Sequence, residues 1–493
     1  MRDTMHPFRP FGTLRSYDPL HALQLVRGNG PHVWDGHGRR FLDMICGYSA
    51  CNLGHSHPRL VSAAVEQLQV LAFANGGESP WRDALESRLA GLWRSYQAAQ
   101  SPGDGASDVK VWLSTTGARG VELAWRVAAA VRPGGVARFD LGYHGRSIGS
   151  AMISDTARSN ALDEACLHTV VIPFPRHGVA ADGGASVCSG EDCCVCDEAL
   201  GVAKKQLSQQ ADRLSMLIVE PAIGARGYWF ASVHYYRRLI AFAKQLGLVV
   251  VSDEIQMGLG RLGPLLVGID DLWAPDLVVL GKSLGGGMVP ISAVLGPGDW
   301  MDRLPAAIES ETFAATPLAC RIASEVLSVM EEEVMEEEVM DAGMRDAGSR
   351  GNEHGVMEEL QNGGRSSGGC APGPSPAISA GTFPKEHRAM ARRHDALAQK
   401  GDAFRGLLRD NMPECIRIEG RGMASVLSFD AFGDRGVDVA KRFTVKLCDL
   451  GILVHLTGPR RDRLALIPPL NIPHDVLLDS VHLFAAASRD TLR

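Results

Sequence analysis

The chain has 493 residues, with 50 lysines and arginines against 57 aspartates and glutamates, a formal net charge of −7. Hydrophobic residues at 45% and charged residues at 22% are ordinary globular values, which excludes a wholly disordered or fibrous chain, and the mild negative charge argues against a dedicated nucleic-acid binder. No apolar run approaches the roughly 18 residues of a membrane-spanning helix, and the length sets an expectation of about three domains or two large ones.

The eleven cysteines are odd in number and irregularly spaced, without an apolar signal stretch near Met1. The expectation is a reducing, cytoplasmic compartment. Arg2, Arg9 and Arg15 keep a mitochondrial presequence as the alternative, although Asp3 and the weak amphipathic pattern speak against it.

Short apolar runs alternate with helical stretches, the pattern of an α/β fold with a mostly parallel sheet. The first run, Val109–Leu113, is followed by Thr115-Thr116-Gly117-Ala118 and a helix carrying Val121, Leu123, Ala124, Trp125 and Val127. The second is Ala137–Leu141. An insertion at about 178–199, rich in Gly, Ala and acidic residues, places Cys188, Cys193, Cys194 and Cys196 in the spacing Cys-x4-Cys-Cys-x-Cys. It reads as a solvated loop, and no metal is expected there. The next runs are Met216–Val219, ending on Glu220-Pro221, then Leu248–Ser252, ending on Asp253-Glu254, and Leu277–Leu280, ending on Gly281-Lys282. A second insertion spans about 331–385 and opens on Glu-Glu-Glu-Val-Met repeated at 331–335 and 336–340. Its acidic start is expected to extend the helix that reaches Met330. The rest, Gly-, Ser- and Pro-rich from Gly363 to Pro376, is expected to be disordered over about 341–385, with helical composition returning near His387.

Open α/β sheets bind ligands at the carboxyl ends of their strands, and polar groups collect there in this sequence. Lys282 closes a strand too apolar to be an edge and precedes a glycine run. Desolvation at such a place lowers an amine's pKa and frees it to form a Schiff base. Asp253 at a buried strand end needs a partner, and a protonated pyridine nitrogen is one. The helix start at Gly117-Ala118 offers free N–H groups to a phosphate. Each feature taken singly has a plainer reading: a surface lysine, a capping carboxylate, an ordinary helix start.

Together they carry a resemblance. Asp253-Glu254-Ile255-Gln256-Met257-Gly258-Leu259-Gly260-Arg261-Leu262-Gly263 and Leu280-Gly281-Lys282-Ser283-Leu284-Gly285-Gly286-Gly287, at the separation seen here, resemble the aspartate and lysine motifs of class III (ω-)aminotransferases. Gly47-Tyr48-Ser49-Ala50, Gly54-His55-Ser56-His57-Pro58, Tyr143-His144-Gly145-Arg146, Val219-Glu220-Pro221 and Thr312-Phe313 match in the same order. Tyr48-Ser49-Ala50 and the stretch Val289–Leu295 are most similar to ornithine aminotransferases.

The resemblance implies a fold-type I transferase dependent on pyridoxal 5′-phosphate, with a mostly parallel sheet in a large domain at 55–317. A smaller α+β domain would combine residues 1–54 with 318–493. It implies a homodimer acting on small-molecule amines and oxo acids. Lys282 would bond the cofactor and move the proton, Asp253 would pair with its ring nitrogen, and Gln256 would sit by its phenolic oxygen. Gly117, Ala118 and Thr312 of the partner subunit would hold the phosphate, and Tyr143 would stack on the ring. Arg146 would fork onto a substrate carboxylate, Tyr48 would line the substrate pocket, and His32 would stand near the substrate amine. The His55-Ser56-His57 pair is implied to be a structural loop, not a metal site.

The chain also departs from ornithine aminotransferases. Ala225 and Ala465 replace both members of a Glu–Arg pair, and Arg226 and Arg463 stand nearby as candidate replacement anchors. Losing both members avoids an unpaired buried charge and points to altered substrate handling. The alternatives are another class III reaction (acetylornithine, 4-aminobutyrate or other ω-amine transfer, decarboxylation or an aminomutase step) and, more distantly, a non-catalytic scaffold.

Overall fold

The computed structural model describes residues 23–74, 79–100, 108–155, 168–177, 193–271, 273–305, 311–334 and 385–492. Strands β1 (Leu25–Asn29), β2 (His32–Asp35) and β3 (Arg40–Asp43) form an antiparallel meander. Helices α1 (Pro58–Val70) and α2 (Pro80–Gln100) follow, each with proline in its first turn, where the missing N–H costs nothing. Strand β4 (Val109–Ser114) then leads into α3 (Gly117–Val131), whose N-cap Thr116 accepts the Arg119 N–H at 3.2 Å. The buried face of α3 carries Val121, Ala124, Val127 and Ala128, at the spacing of an amphipathic helix.

Next come β5 (Gly135–Phe139), β6 (Thr169–Ile172), α4 (Cys194–Gln210) and β7 (Leu214–Val219). Helix α5 (Val233–Gln245) is capped by Ser232, and β8 (Val249–Asp253), β9 (Leu277–Leu280) and β10 (Ser292–Pro297) complete this part of the chain. Helix α6 (Pro317–Val329) packs across α1 and α2. Beyond it lie α7 (Lys385–Asn411), β11 (Arg417–Arg421), β12 (Ala424–Ser428), α8 (Gly436–Asp449), β13 (Ile452–Leu453), β14 (His455–Thr457), β15 (Arg463–Leu466) and α9 (His474–Leu492).

The central sheet has the order β4-β10-β9-β8-β7-β5-β6. Every pair is parallel except the two made by β10. Helices on both faces explain why β7, β8 and β9 are buried along their whole length. Parallel strands with helical crossovers bring the carboxyl ends of β4, β7, β8 and β9 to one edge, which is where the polar residues fall. Two smaller sheets stand beside it. β11-β12-β15-β14 is antiparallel, and the N-terminal meander takes β13 as its fourth strand, in parallel with β3. The first and last parts of the chain thus build one sheet together. Among the described residues no helix is long and apolar enough to cross a membrane.

The five expected strands are all present. β10 and β6 are additions: β10 runs antiparallel, an orientation its apolar run does not encode, and β6 is a four-residue half-buried edge. The acidic extension of α6 continues as a single π turn, Met330–Val334, in which Glu331 pairs with Arg88 at 2.7 Å and Glu332 with Arg59 at 2.9 Å. The second acidic repeat and the Gly/Ser/Pro-rich stretch lie outside the described residues. The cysteine-rich segment needs a correction. From Cys194 onward it is α4, and Cys193, Cys196, Ala199 and Leu200 are buried in the core against Phe174 and Tyr235, so this part is no solvated loop. Cys188 lies outside the described residues.

Candidate active site

Lys282 is the first residue after Gly281 at the end of β9, held at a left-handed φ of 42° where a lysine is strained. Its amine turns into a cavity lined also by Gly117, Ala118, Tyr143, Arg146, Asp253 and Gln256. Burial pushes its pKa down to about 8, against the opposing pull of the Asp253 and Glu220 carboxylates. An amine so placed sheds its proton far more readily than an exposed lysine does, although it still carries one for most of the time at neutral pH.

Asp253 closes β8. One carboxylate oxygen accepts the Ile255 N–H at 3.1 Å and the other lies 2.7 Å from His144 Nδ1. Both side chains are almost completely buried, and His144 Nε2 is left buried without a hydrogen-bond partner. Glu220, at the end of β7, is also buried. It accepts the Tyr143 and Gly224 N–H groups, and desolvation with the neighbouring Asp253 charge lifts its pKa to about 7, against the pull of His144 and the two N–H groups. Gln256 is buried and its amide donates to the Tyr228 hydroxyl at 2.7 Å.

The start of α3 forms the opposite wall. Its first N–H groups have no intrahelical acceptor. A Cβ on Gly117 would stand 2.7 Å from Ile255 Cδ1, and one on Gly145, at φ 135°, would stand 2.7 Å from Ala118 Cβ. Only glycine lets the Tyr143–Arg146 turn close over this helix start. Tyr143 is half-buried, and Arg146 is exposed at the mouth with its guanidinium 6.0 Å from the Tyr143 ring. No carboxylate pairs with Arg146 among the described residues.

The donor set fits pyridoxal phosphate. A desolvated amine could bond the cofactor's aldehyde carbon, and a buried carboxylate could pair with its protonated ring nitrogen. A helix N-terminus suits phosphate, and Tyr143 offers an aromatic face. The orphaned His144 Nε2 marks the same wall as a place for a polar group.

The structure gathers Lys282, Asp253, Gly117, Ala118, Tyr143, Gln256 and Arg146 around one cavity. Tyr48 and His32 are not among the residues lining that cavity, and Thr312, expected to act from the partner subunit, lies outside it as well. Thr312 is exposed in a turn; its neighbour Glu311 reaches the α3 start, accepting from Thr115 Oγ1 at 2.6 Å and Arg119 Nε at 3.2 Å. Tyr48 does not line the cavity and sets its ring edge-on to His455, 4.9 Å between centroids. His32 lies within β2 with its ring 6.2 Å from Trp34, and burial and Arg40 lower its pKa. His144 and Glu220 also line the cavity, Tyr228 holds Gln256 from outside it, and none of the three had a role assigned from the sequence. Glu220 was legible as a carboxylate ending an apolar strand; nothing local distinguishes His144 or Tyr228.

Ala465 is buried in β15 between Val426 and His455, and the Ala225 carbonyl accepts the Thr457 hydroxyl. Both nearby arginines are engaged by other groups. Arg463 is buried over the Trp229 ring and donates to the Gly227 and Tyr228 carbonyls and to Glu419. Arg226 places two of its nitrogens on one Asp155 oxygen, at 3.1 and 2.7 Å. His55 is tied to Asp43 at 2.8 Å, which with Cys51 raises its pKa to about 10; it stitches a loop to β3.

The family model "Aminotransferase class-III" matches residues 14–345, which is 332 of the 493 positions. The chain belongs to the class III aminotransferases. It is 29% identical over 329 residues to the 4-aminobutyrate aminotransferase GabT of Escherichia coli, covering 65% of this chain and 71% of that one. It is 29% identical over 328 residues to ornithine aminotransferase 1 of Staphylococcus saprophyticus, covering 65% and 74%. The solved ω-aminotransferase of Paracoccus denitrificans superposes with a TM-score of 0.72 at 19% identity, over 99% of this chain and 97% of that one, and shares its fold. The protein is a pyridoxal-phosphate-dependent enzyme of fold type I, acting on small-molecule amines and oxo acids.

Proposed function

We propose that the protein transfers an amino group from the distal amine of a small amino acid, ornithine or a relative, to an oxo-acid acceptor. The observation that carries this is Arg146. It is a guanidinium at the mouth of the Lys282 cavity with no carboxylate partner among the described residues, and a planar fork there suits a substrate carboxylate. The names of the relatives, which act on 4-aminobutyrate and ornithine, support an amine distant from a carboxylate.

When bound, the cofactor supplies an electron sink that loosens the C–H bond beside the substrate nitrogen. The chain's own groups do the rest. Lys282 Nζ, desolvated to a pKa near 8, takes up and returns the proton. Asp253, aligned by His144 and the Ile255 N–H, holds a positive charge at the ring's far end. The N–H groups of Gly117 and Ala118 anchor the phosphate, with Thr312 of the partner subunit completing that cradle in a homodimer. Tyr143 would cover the ring, and Gln256, fixed by Tyr228, would stand by the phenolic oxygen.

With Ala225 and Ala465 in place of the Glu–Arg pair, and with Arg226 and Arg463 otherwise engaged, glutamate and 2-oxoglutarate are poor partners in this reading. The test is a half-reaction screen. Candidate ω-amino acids, amino acids and simple amines are mixed with the holoenzyme, and loss of the cofactor's long-wavelength absorption is followed. Fast conversion by distal-amine amino acids and slow conversion by glutamate are expected. The reverse order overturns the assignment.

A further inference from the structure

Outside the active site, one cluster of metal-binding side chains stands out. The chain leaves β6 through Pro173 and Phe174 to His177, and α4 begins at Cys194 with Cys193 as its N-cap. Cys193 and Cys196 stand three positions apart, so the cysteine run contains a Cys-x2-Cys pair that its reading as Cys-x4-Cys-Cys-x-Cys passes over. At the start of a helix this spacing turns both thiols to one side. His177 meets them: its Nε2 lies 3.1 Å from Cys193 Sγ and 3.7 Å from Cys196 Sγ. All three ligand atoms lie within 4.8 Å of one another, and all three residues are buried.

We propose that His177, Cys193 and Cys196 bind one zinc ion, separate from the catalytic cavity. The geometry is that of an ion-sized gap. Zinc bonds of about 2.3 Å to sulfur and about 2.0–2.1 Å to nitrogen, at tetrahedral angles, put nitrogen and sulfur about 3.5 Å apart. The two observed separations bracket that value. Neither cysteine is in a disulfide. The donor set, two soft thiolates and an imidazole, is the one that selects zinc over magnesium or calcium.

Charge supports the same ion. Binding converts two thiols to thiolates and releases two protons, so Zn²⁺ with two thiolates is neutral overall. A neutral group suits a site packed on Phe174 and Tyr235, where an uncompensated charge is costly. The imidazole binds as the Nδ1–H tautomer, with its Nε2 lone pair on the metal. Among the described residues no fourth His, Cys, Asp or Glu joins the group.

The site joins two points of the chain sixteen positions apart, the exit of β6 and the entry of α4. An ion there ties these two points of the chain together, which is a structural role.

The experiment uses the full-length holoenzyme, purified under reducing conditions without chelator and then saturated with ZnCl₂ and desalted. Metal analysis is expected to give one zinc per chain. Co²⁺ in its place is expected to give the thiolate-to-cobalt charge-transfer band and intense visible bands of a tetrahedral site. His177→Ala, Cys193→Ser and Cys196→Ser should each weaken zinc binding by about 100-fold or more, while cofactor content and the half-reaction stay as in the parent. If a variant is insoluble, alkylation of the parent decides the point. Cys194 is exposed and reacts in either state, whereas Cys193 and Cys196 should become reactive only after zinc is removed. Less than about 0.1 zinc per chain after saturation, zinc retained in all three variants, or alkylation of Cys193 and Cys196 unaffected by chelator would each overturn the assignment.

Discussion

His144 Nδ1 and Asp253 Oδ2 lie 2.7 Å apart in a nearly water-free wall of the active site. The imidazole is the only side chain recorded on that carboxylate among the described residues, so it fixes how Asp253 faces the cavity. Replacing it with alanine leaves a buried carboxylate short of one bond. A charge-assisted bond of this kind is worth about 1.5–3 kcal/mol. His144→Ala is therefore expected to weaken cofactor affinity roughly 10- to 100-fold, read by fluorescence titration of the cofactor-free protein. Unchanged affinity would show that Asp253 needs no such support.

Lys282 has its own pH signature. Its pKa in the folded protein, about 8, lies below the ordinary 10.5. The unfolded chain therefore binds more protons between about pH 8 and 10.5, and the lysine's burden on the cofactor-free protein shrinks as pH rises through that window. Capture of pyridoxal phosphate by the cofactor-free protein is expected to accelerate with a midpoint near pH 8. Borohydride should then fix the cofactor to Lys282, seen by peptide mass spectrometry. An adduct on another lysine would refute the assignment.

Glu220 works in the opposite sense. Its folded pKa of about 7 lies above the ordinary 4.5, so the folded protein holds the extra proton and stability falls as pH rises between about 4.5 and 7. Glu220→Gln removes that proton uptake. Denaturant unfolding of the cofactor-free protein from pH 5 to 8 should show a shallower decline in the variant than in the parent. Parallel curves would mean that Glu220 is ionised throughout.

Arg146→Ala is expected to raise KM for carboxylate-bearing amines about 10- to 100-fold, the worth of one charge-assisted fork. A simple amine without a carboxylate should be affected little. Equal losses for both kinds of substrate would place Arg146 in another role.

The two arginines beside the alanine pair should behave differently from one another. Arg463→Ala removes hydrogen bonds to the Gly227 and Tyr228 carbonyls, Ser428 and Glu419 and is expected to lower the melting temperature markedly. Arg226→Ala breaks only a part-exposed pair with Asp155 and should be tolerated. 2-Oxoglutarate turnover should be slow in the parent and in Arg226→Ala alike. Rapid turnover in the parent that collapses in Arg226→Ala would make Arg226 the acceptor's anchor after all.

Much of the central sheet was legible because parallel strands buried on both faces write themselves as unbroken apolar runs, as Leu277–Leu280 does, and because a polar residue directly after such a run has few places to go. Lys282, Asp253 and Gly117 were found that way. What escaped depends on distance in sequence. β10 sits antiparallel between β4 and β9, and nothing in Ser292–Pro297 records its direction. His144 acquires its partner only when β8 comes alongside the loop after β5. Cys193, Cys194 and Cys196 look equivalent in sequence, and only the register of α4 buries the first and third while exposing the second. Arg463 stands out in sequence by its nearness to Ala465, but its engagement with the Gly227 and Tyr228 carbonyls follows from packing between distant segments.

The pairing of β3 with β13 has a consequence for synthesis. Leu42 and Ile452 are register partners separated by 410 positions, 452 − 42. At roughly 5–20 residues per second, a ribosome needs about 20–80 s to deliver the second after the first. Throughout that interval the β1–β3 meander offers an unpaired edge to any other strand, including the same meander on a neighbouring nascent chain. The central sheet can assemble while the tail is still being made, but the sheet that joins both ends cannot. Truncation before Leu453 should therefore yield a protein whose failing is self-association through the open edge of β3, even where the catalytic half is already folded.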